Sequence, residues 1–493
     1  MKRGFLNSKP AKERPVASTN NSGLDPVPTQ FPYAALDKPV EIPKGYETPL
    51  NILLNGSKME LPPDSFAYVW TTLPGIQLRD EPQTECVLLP ESKDIILKTP
   101  GFPKPLPPMP TCPAFRVARS PGKGMGLFST RNIKQGEIIL YERPLLITPA
   151  AVRATAPEHF SPAQVVQHSL NTFERIAEVS VNRMTEERQA AFMSLHNCHM
   201  TDGSGPIVGR IRTNGFGLPG LQPGAQPKTE MEFRMGAYSV ICENISRLNH
   251  SCAPNTAFSL DKAMLAYRLY AVRDIAEGEE LTLQYVDVLC SKTQRQEALK
   301  PYDVTCACSV CTDPTTESDK RRSMIGSFIP TISAWAANRQ LPDDWLIKKS
   351  TEVLDLIEKE GLEYFELYCI ATHTIMEAYI CLGDSENASK WAERVIRQPW
   401  SEEYNDQHEV EELLDPESPA YAKHGLWRMR VDENPIGELG AMFKMMGEIC
   451  GPEGMKMMDN GGGMFMMLPN QNASPETLKK IADAMVKYGQ PSG

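Results

Sequence analysis

"SRLNHSCAPNTAF", Ser246 to Phe258, sets an Asn, a His, a Ser and a Cys side by side and follows them with Pro254. Polar and reactive side chains of this kind rarely gather merely to fill a core, because each buried polar group needs a partner. The run therefore marks a turn where other segments or ligands converge.

One such segment lies downstream. "CACSVC" places Cys306, Cys308 and Cys311 in C-x-C-x-x-C spacing. Three thiolates this close can share one soft cation. Zn²⁺ takes four ligands in a tetrahedron, so a fourth must come from elsewhere, and Cys252 in the opening turn is the candidate. A set of four thiolates also suits an iron–sulfur cluster by ligand type. Three unrelated buried cysteines are the plain alternative. With four protein ligands no coordination position stays open to activate water, so the expected ion is structural. It would staple the chain after "CACSVC" against the turn at Cys252.

Working outward, strand texture surrounds the turn. "TAFSL", "AMLAYRLYAVRDI" and "EELTLQYV" are rich in residues that suit sheets, with "LDKA" as a hairpin turn. "AFRVARS" from Ala114 and "GEIILYERPLLI" from Gly136 read as two further strands, joined through a glycine-bearing turn, "SPGKGMGLFSTRNIKQG". Between these blocks the pattern turns helical. "SPAQVVQHSLNTFERIAEV" opens with Ser161, Pro162 and Gln164, a capping box with Pro at the first helical position. "TEERQAAFMSLHN" predicts a second helix and "GLPGLQPGAQP" a loop. "SKTQRQEALK" predicts a short helix capped by Ser291.

Residues 1–113 are rich in Pro and poor in hydrophobic periodicity, which predicts a largely irregular region with one short packed piece at "SFAYVWTTL". From about residue 320 to 430 the pattern is helical. "WLIKKSTEVLDLIEKEG", "EYFELYCIATHTIMEAYICLG" and "SENASKWAERVIRQ" form successive amphipathic segments, like a helix-hairpin repeat without a strict period. Residues 431–493 carry nine methionines between Gly440 and Leu468, with many glycines, and predict an irregular tail.

The 493 residues allow two or three domains. A net charge of −11, from 51 basic and 62 acidic residues, speaks against direct nucleic-acid binding. "DKRRS" at Asp319 is a short basic run, read as a solvated linker. No apolar run is long enough to span a membrane. "MKRGFLNSKPAKERP" lacks the apolar stretch of a secretory signal, and Pro10, Glu13 and Pro15 argue against a transit peptide. The expectation is an intracellular protein, cytoplasmic or nuclear, whose twelve cysteines are thiols or metal ligands.

Taken in order, the glycine turn, "NHSC", "EELTLQY" and the cysteine cluster resemble a SET-domain protein-lysine methyltransferase, in the branch of the SET-and-MYND enzymes and their fungal relatives. The resemblance covers about residues 114–312, with the helical insert at about 150–235. It implies an α+β fold: a SET β-fold with a helical insertion, a four-cysteine zinc region after it, and an α-helical, TPR-like C-terminal region. It implies S-adenosylmethionine as cofactor, bound by the backbone of Lys123, Gly124 and Met125 and by Asn214, Asn249 and His250. It implies Tyr285 as the active-site tyrosine and Tyr302 as a wall of a lysine channel. The partner implied is a protein that presents a lysine, histone or non-histone. Ligands for a MYND finger are absent between Ile147 and Ala237; His196, Cys198 and His199 in "LHNCHM" sit too close together for one tetrahedron and read as a helix end. A SET fold without activity, serving as an interaction scaffold, is the alternative.

Overall fold

The computed structural model describes residues 36–46, 52–54, 68–108, 110–152, 156–218, 220–221, 237–302, 304–325, 332–337, 339–398, 407–431, 455–459 and 465–469. The chain divides after Pro314 into two compact units. The N-terminal tract "MKRGFLNSKPAKERP" and most of the "GLPGLQPGAQP" loop lie outside the described residues.

Among its described residues the first unit is a mixed α+β structure with three sheets. A six-stranded sheet runs β1 (Ile52–Leu54), β2 (Tyr68–Leu73), β3 (Thr84–Leu88), β7 (Leu146–Pro149), β9 (Tyr238–Ile241) and β8 (Phe216–Leu218). A four-stranded sheet is ordered β10 (Asn249–His250), β13 (Glu280–Leu283), β5 (Gly124–Ser129) and β4 (Phe115–Ser120). The third has β11 (Thr256–Asp261), β12 (Ala266–Ala271) and β6 (Ile138–Glu142). Leu127, Leu269, Val240 and Leu281 share one core that spans all three sheets.

The expectation of a largely irregular region up to residue 113 is corrected. The packed piece expected at "SFAYVWTTL" is β2, and it is not isolated: β2 pairs with β3, and β3 pairs with β7, so this stretch is built into the main sheet. Thr84–Leu88 is buried along its whole length, so it shows no polar/apolar alternation to read. α1 (Pro90–Leu97) follows, starting with Pro at its first position. "GEIILYERPLLI" is not one strand. It breaks at Arg143–Leu145, where Pro144 lacks a ladder donor, and its halves join different sheets. The buried Arg143 side chain pins the corner, donating to the carbonyls of Met264 and Lys104 and to the Glu81 carboxylate.

The insert forms as the caps dictate. α2 (Pro162–Val181) starts at Ser161, whose hydroxyl accepts from the Gln164 N–H while the Gln164 side chain accepts from the Ser161 N–H. Thr185 caps α3 (Glu186–Met193) by accepting the Arg188 N–H. α4 (Pro206–Asn214) ends on a predicted site residue. Ser291 forms a second capping box, with Gln294, on the helix Lys292–Leu299.

The second unit is helical among its described residues up to 431. Helices Trp345–Glu360, Glu366–Leu382 and Ser385–Ile396 follow in sequence. Met376 and Ile380 pack with Ala388, Ala392 and Val395. Gly361 and Gly383 close the first two helices in left-handed conformation, where a side chain would be strained. In the tail the irregular expectation is corrected at one place: Met455–Asp459 pairs antiparallel with Phe465–Pro469. No described helix is long and apolar enough to cross a membrane.

Candidate active site and metal centre

The opening turn is anchored from several directions. The Ser251 N–H donates to the Leu283 carbonyl (2.8 Å). Asn255 is buried; its Oδ1 accepts from the Thr282 N–H (2.8 Å) and its Nδ2 donates to Glu279 and to the Glu280 carbonyl. Arg273 donates to the carbonyls of Ala253 and Pro254. Further back, the buried Glu142 carboxylate accepts the N–H groups of Glu243, Asn244 and Ile245, fixing the approach to the turn. Burial pushes its carboxyl upward, against those bonds.

Cys252 leaves the turn toward Cys306, Cys308 and Cys311. The four Sγ atoms lie within 4.8 Å of one another. Cys252 Sγ is 3.8 Å from that of Cys306 and 3.5 Å from that of Cys311. Zn–S bonds of about 2.3 Å in a tetrahedron put sulfurs about 3.8 Å apart, so the set fits one mononuclear ion. Sulfurs this close leave no room for a multi-atom iron–sulfur cluster between them. Disulfides are excluded by the same distances.

His250 connects this centre to the tyrosines. Its Nδ1 accepts from the Tyr285 N–H (2.9 Å), so the proton of the neutral ring sits on Nε2, 3.4 Å from Cys252 Sγ. Burial pushes His250 down to about 3, and the ring is neutral at physiological pH. It acts here as a fixed link and not as a base. The Tyr285 ring lies 5.4 Å from that of His250 and 5.7 Å from that of Tyr302. The Tyr285 hydroxyl donates to the Leu248 carbonyl, and the Tyr302 hydroxyl to the Tyr285 carbonyl. Burial raises Tyr302 above the phenol range.

On the other side of the turn, Asn249 is 2 % exposed. Its Nδ2 donates to Glu280 Oε1 (2.5 Å) and faces the Met125 carbonyl (3.4 Å). Lys123 Nζ pairs with Glu280 Oε2 at 3.0 Å. The "KGMGLF" segment, placed in a turn by its glycines, is mostly strand β5. Gly124 has φ +82° with open space where a Cβ would point. Gly126 serves differently: a Cβ there would lie 2.7 Å from Glu280 Oε1 and 2.8 Å from Asn249 Nδ2. Asn214 donates to the carbonyls of His196 (2.7 Å) and Arg210 (2.8 Å). No hydrogen bond joins it to Asn249 among the described residues.

The "LHNCHM" stretch is a latch. Cys198 meets Thr213, His199 meets Asp202 (2.6 Å), and Asp202 accepts from Arg212 (2.7 Å). Among the described residues, the only cluster suited to a metal ion is the four cysteines. Glu280 is the site residue that sequence reasoning missed. Its partner Lys123 is 157 positions away, and "EELTLQY" by itself shows no reason to single it out.

Residues 124–286 match the family model of the SET domain. The chain is similar to the histone-lysine N-methyltransferase set5 of Schizosaccharomyces pombe, 29% identical over 224 residues, covering 44% of this chain and 58% of that protein. It is 36% identical over 109 residues to the histone-lysine N-methyltransferase SET5 of Meyerozyma guilliermondii, covering 20% of this chain and 23% of that one. It is 28% identical over 184 residues to the N-lysine methyltransferase SMYD2 of Gallus gallus, covering 34% and 41%. In each case the match spans less than two thirds of the relative.

Proposed function

We propose, from the premise that this chain carries a SET domain at residues 124–286, that it is an S-adenosylmethionine-dependent protein-lysine methyltransferase. The observation that carries this reading is the convergence at one turn of Asn249, His250, Tyr285 and Tyr302 with a four-sulfur metal centre. The relatives' names, which speak of histone-lysine and N-lysine methylation, support it.

The residues fit both groups. Cys252, Cys306, Cys308 and Cys311 would hold a structural Zn²⁺, whose role is to fix the chain around Tyr302 and Cys252. The open face of Gly124 and the polar Asn249 fit the amino-acid end of S-adenosylmethionine, with the backbone of Lys123 and Met125, and His250 and Asn214, as further contacts. When bound, that cofactor supplies a methyl group already activated on a positive sulfur.

The chain then has three tasks. It holds donor and acceptor in line, worth up to roughly 7–11 kcal/mol in ideal cases. It presents lysine as the free amine, which from a reference pKa of about 10.4 costs roughly 4 kcal/mol near neutral pH. The Tyr285 and Tyr302 rings lower that cost, because an apolar wall disfavours ammonium. The Tyr285 hydroxyl donates a hydrogen bond to the Leu248 carbonyl, so toward an incoming amine its oxygen would act as an acceptor. Both rings also keep water away, which is the third task. The acceptor is a lysine on a protein of the cytoplasm or nucleus, histone or non-histone.

The test is twofold: calorimetry of the purified chain with S-adenosylhomocysteine, and transfer of labelled methyl groups to proteins of a cell extract, with the modified residue mapped. Saturable binding and a labelled lysine are expected. Binding without any transfer would leave an interaction scaffold; neither binding nor transfer would sink the enzymatic reading altogether.

A further inference from the structure

We infer that Glu280 is a positioning residue that decides which atom Asn249 offers to a ligand, and so makes the pocket selective for a cationic amino head group. The inference deepens the cofactor reading above and rests on it.

An asparagine amide has two faces, and only its hydrogen-bond partners fix which way round it sits. At Asn249 both neighbours are acceptors. The Glu280 carboxylate lies 2.5 Å from Nδ2, and the Met125 carbonyl lies 3.4 Å from the same atom. Neither can donate, so the NH₂ must face them. The Lys123 ammonium donates to the other oxygen of the same carboxylate, 3.0 Å away, which fixes the carboxylate's position beside the amide. Oδ1 therefore turns to the opposite side, where it accepts no hydrogen bond among the described residues. What the site presents is an acceptor of hydrogen bonds, the complement of an α-ammonium and not of a carboxylate.

The strand order explains why this position holds the role. Glu280 opens β13, which lies between β10, carrying Asn249, and β5, which follows Lys123. Glu280 pairs with Phe128 across to β5, while Asn249 pairs with Thr282 on the other flank. One carboxylate thus ties together both strands that border the proposed cofactor. Gly126 makes the approach possible, since a Cβ there would intrude on both Glu280 Oε1 and Asn249 Nδ2. The Glu280 side chain is 17 % exposed and that of Lys123 34 %. The pair is sheltered enough to hold one geometry, yet Lys123 can be changed without opening the core.

Two ligands separate head-group recognition from general damage: S-adenosylhomocysteine, which carries the amino-acid end, and 5′-methylthioadenosine, which lacks it. Calorimetry is run on the full chain and on Glu280→Gln. That substitution keeps the shape of the side chain and removes its charge, and methylthioadenosine affinity reports whether the adenine side is intact. The expected result is a loss of about 10-fold or more for S-adenosylhomocysteine, with methylthioadenosine within about 2-fold of wild type. Equal losses for both ligands, or no loss for either, overturns the inference while leaving the cofactor reading in place. Wild type that binds neither ligand removes the cofactor reading and this inference together. Should Glu280→Gln fail to fold, Lys123→Gln carries the test: a selective loss of about 3-fold or more supports the inference, and wild-type selectivity overturns it.

Discussion

At Asn249 the side-chain amide faces two acceptors supplied by the chain, whereas three residues on Cys252 faces three other cysteine sulfurs. The first side of the turn is arranged before any ligand arrives. The second gathers four groups that repel once ionised and need a cation to be stable together. A preset polar pocket gives graded losses when altered. A metal centre gives an all-or-none loss, because its binding free energy is folding free energy for the segment it closes.

The largest expected effect follows from that contrast. Cys306→Ser, or removal of the metal by a strong chelator, should abolish stoichiometric metal and release the segment from Tyr302 to Cys311 to proteolysis. Metal content by mass spectrometry and limited digestion measure it. Structural Zn²⁺ sites are worth on the order of 10 kcal/mol or more, so partial retention is not expected. A variant with full metal content and wild-type digestion would erase the distinction between the two sides.

Next comes Tyr285→Phe, which touches neither the amide clamp nor the sulfurs. It removes the hydroxyl bonded to Leu248 while keeping the ring packed between His250 and Tyr302. Turnover should fall by about 100-fold or more, with S-adenosylhomocysteine affinity within about 2-fold. A fall in affinity of the same size as the fall in turnover would mean that Tyr285 shapes the cofactor pocket and not the acceptor channel.

Gly126→Ala tests the preset side by crowding it. The new methyl group would press on Glu280 and Asn249, and overpacking of this kind costs about 1–3 kcal/mol. Cofactor affinity should drop by roughly 10-fold, while metal content stays at wild type. Loss of metal in this variant would show that the two sides are mechanically one.

What the sequence disclosed divides along the same line. Cysteines at C-x-C-x-x-C spacing advertise a shared ion, because close spacing of soft ligands has few other uses. Capping signals at Ser161 and Ser291 were legible for a similar reason: both partners lie three residues apart. The preset side was less legible. Glu280 acts through Lys123 and Asn249, and nothing local marks a carboxylate that serves strands so far apart in the chain. Gly126 reads as a turn residue, yet its use is close approach of strands. β2 falls in the packed piece expected at "SFAYVWTTL", but β3 was hidden because it is buried along its whole length and shows no alternation.

The smallest expected effect is at the latch that holds the second asparagine. Burial by itself would raise Asp202, but the hydrogen bond from His199 and the charge of Arg212 outweigh it and hold the carboxyl at about 2. A folded value below the unfolded one means stability that is present above pH about 4 and is lost as pH falls toward 2. The shift corresponds to about 2 kcal/mol. Asp202→Asn should therefore be less stable than wild type by about that amount at neutral pH, with the difference closing as pH falls through that window. Chemical denaturation of both proteins across the window measures it. Because Asp202 grips Arg212, two residues before Asn214, a modest loss of cofactor affinity should accompany the loss of stability, and metal content should not change. A gap that persists unchanged at the acid end of the window would mean that the latch works through shape and not through charge, and that the preset side owes less to electrostatics than the Glu280 clamp implies.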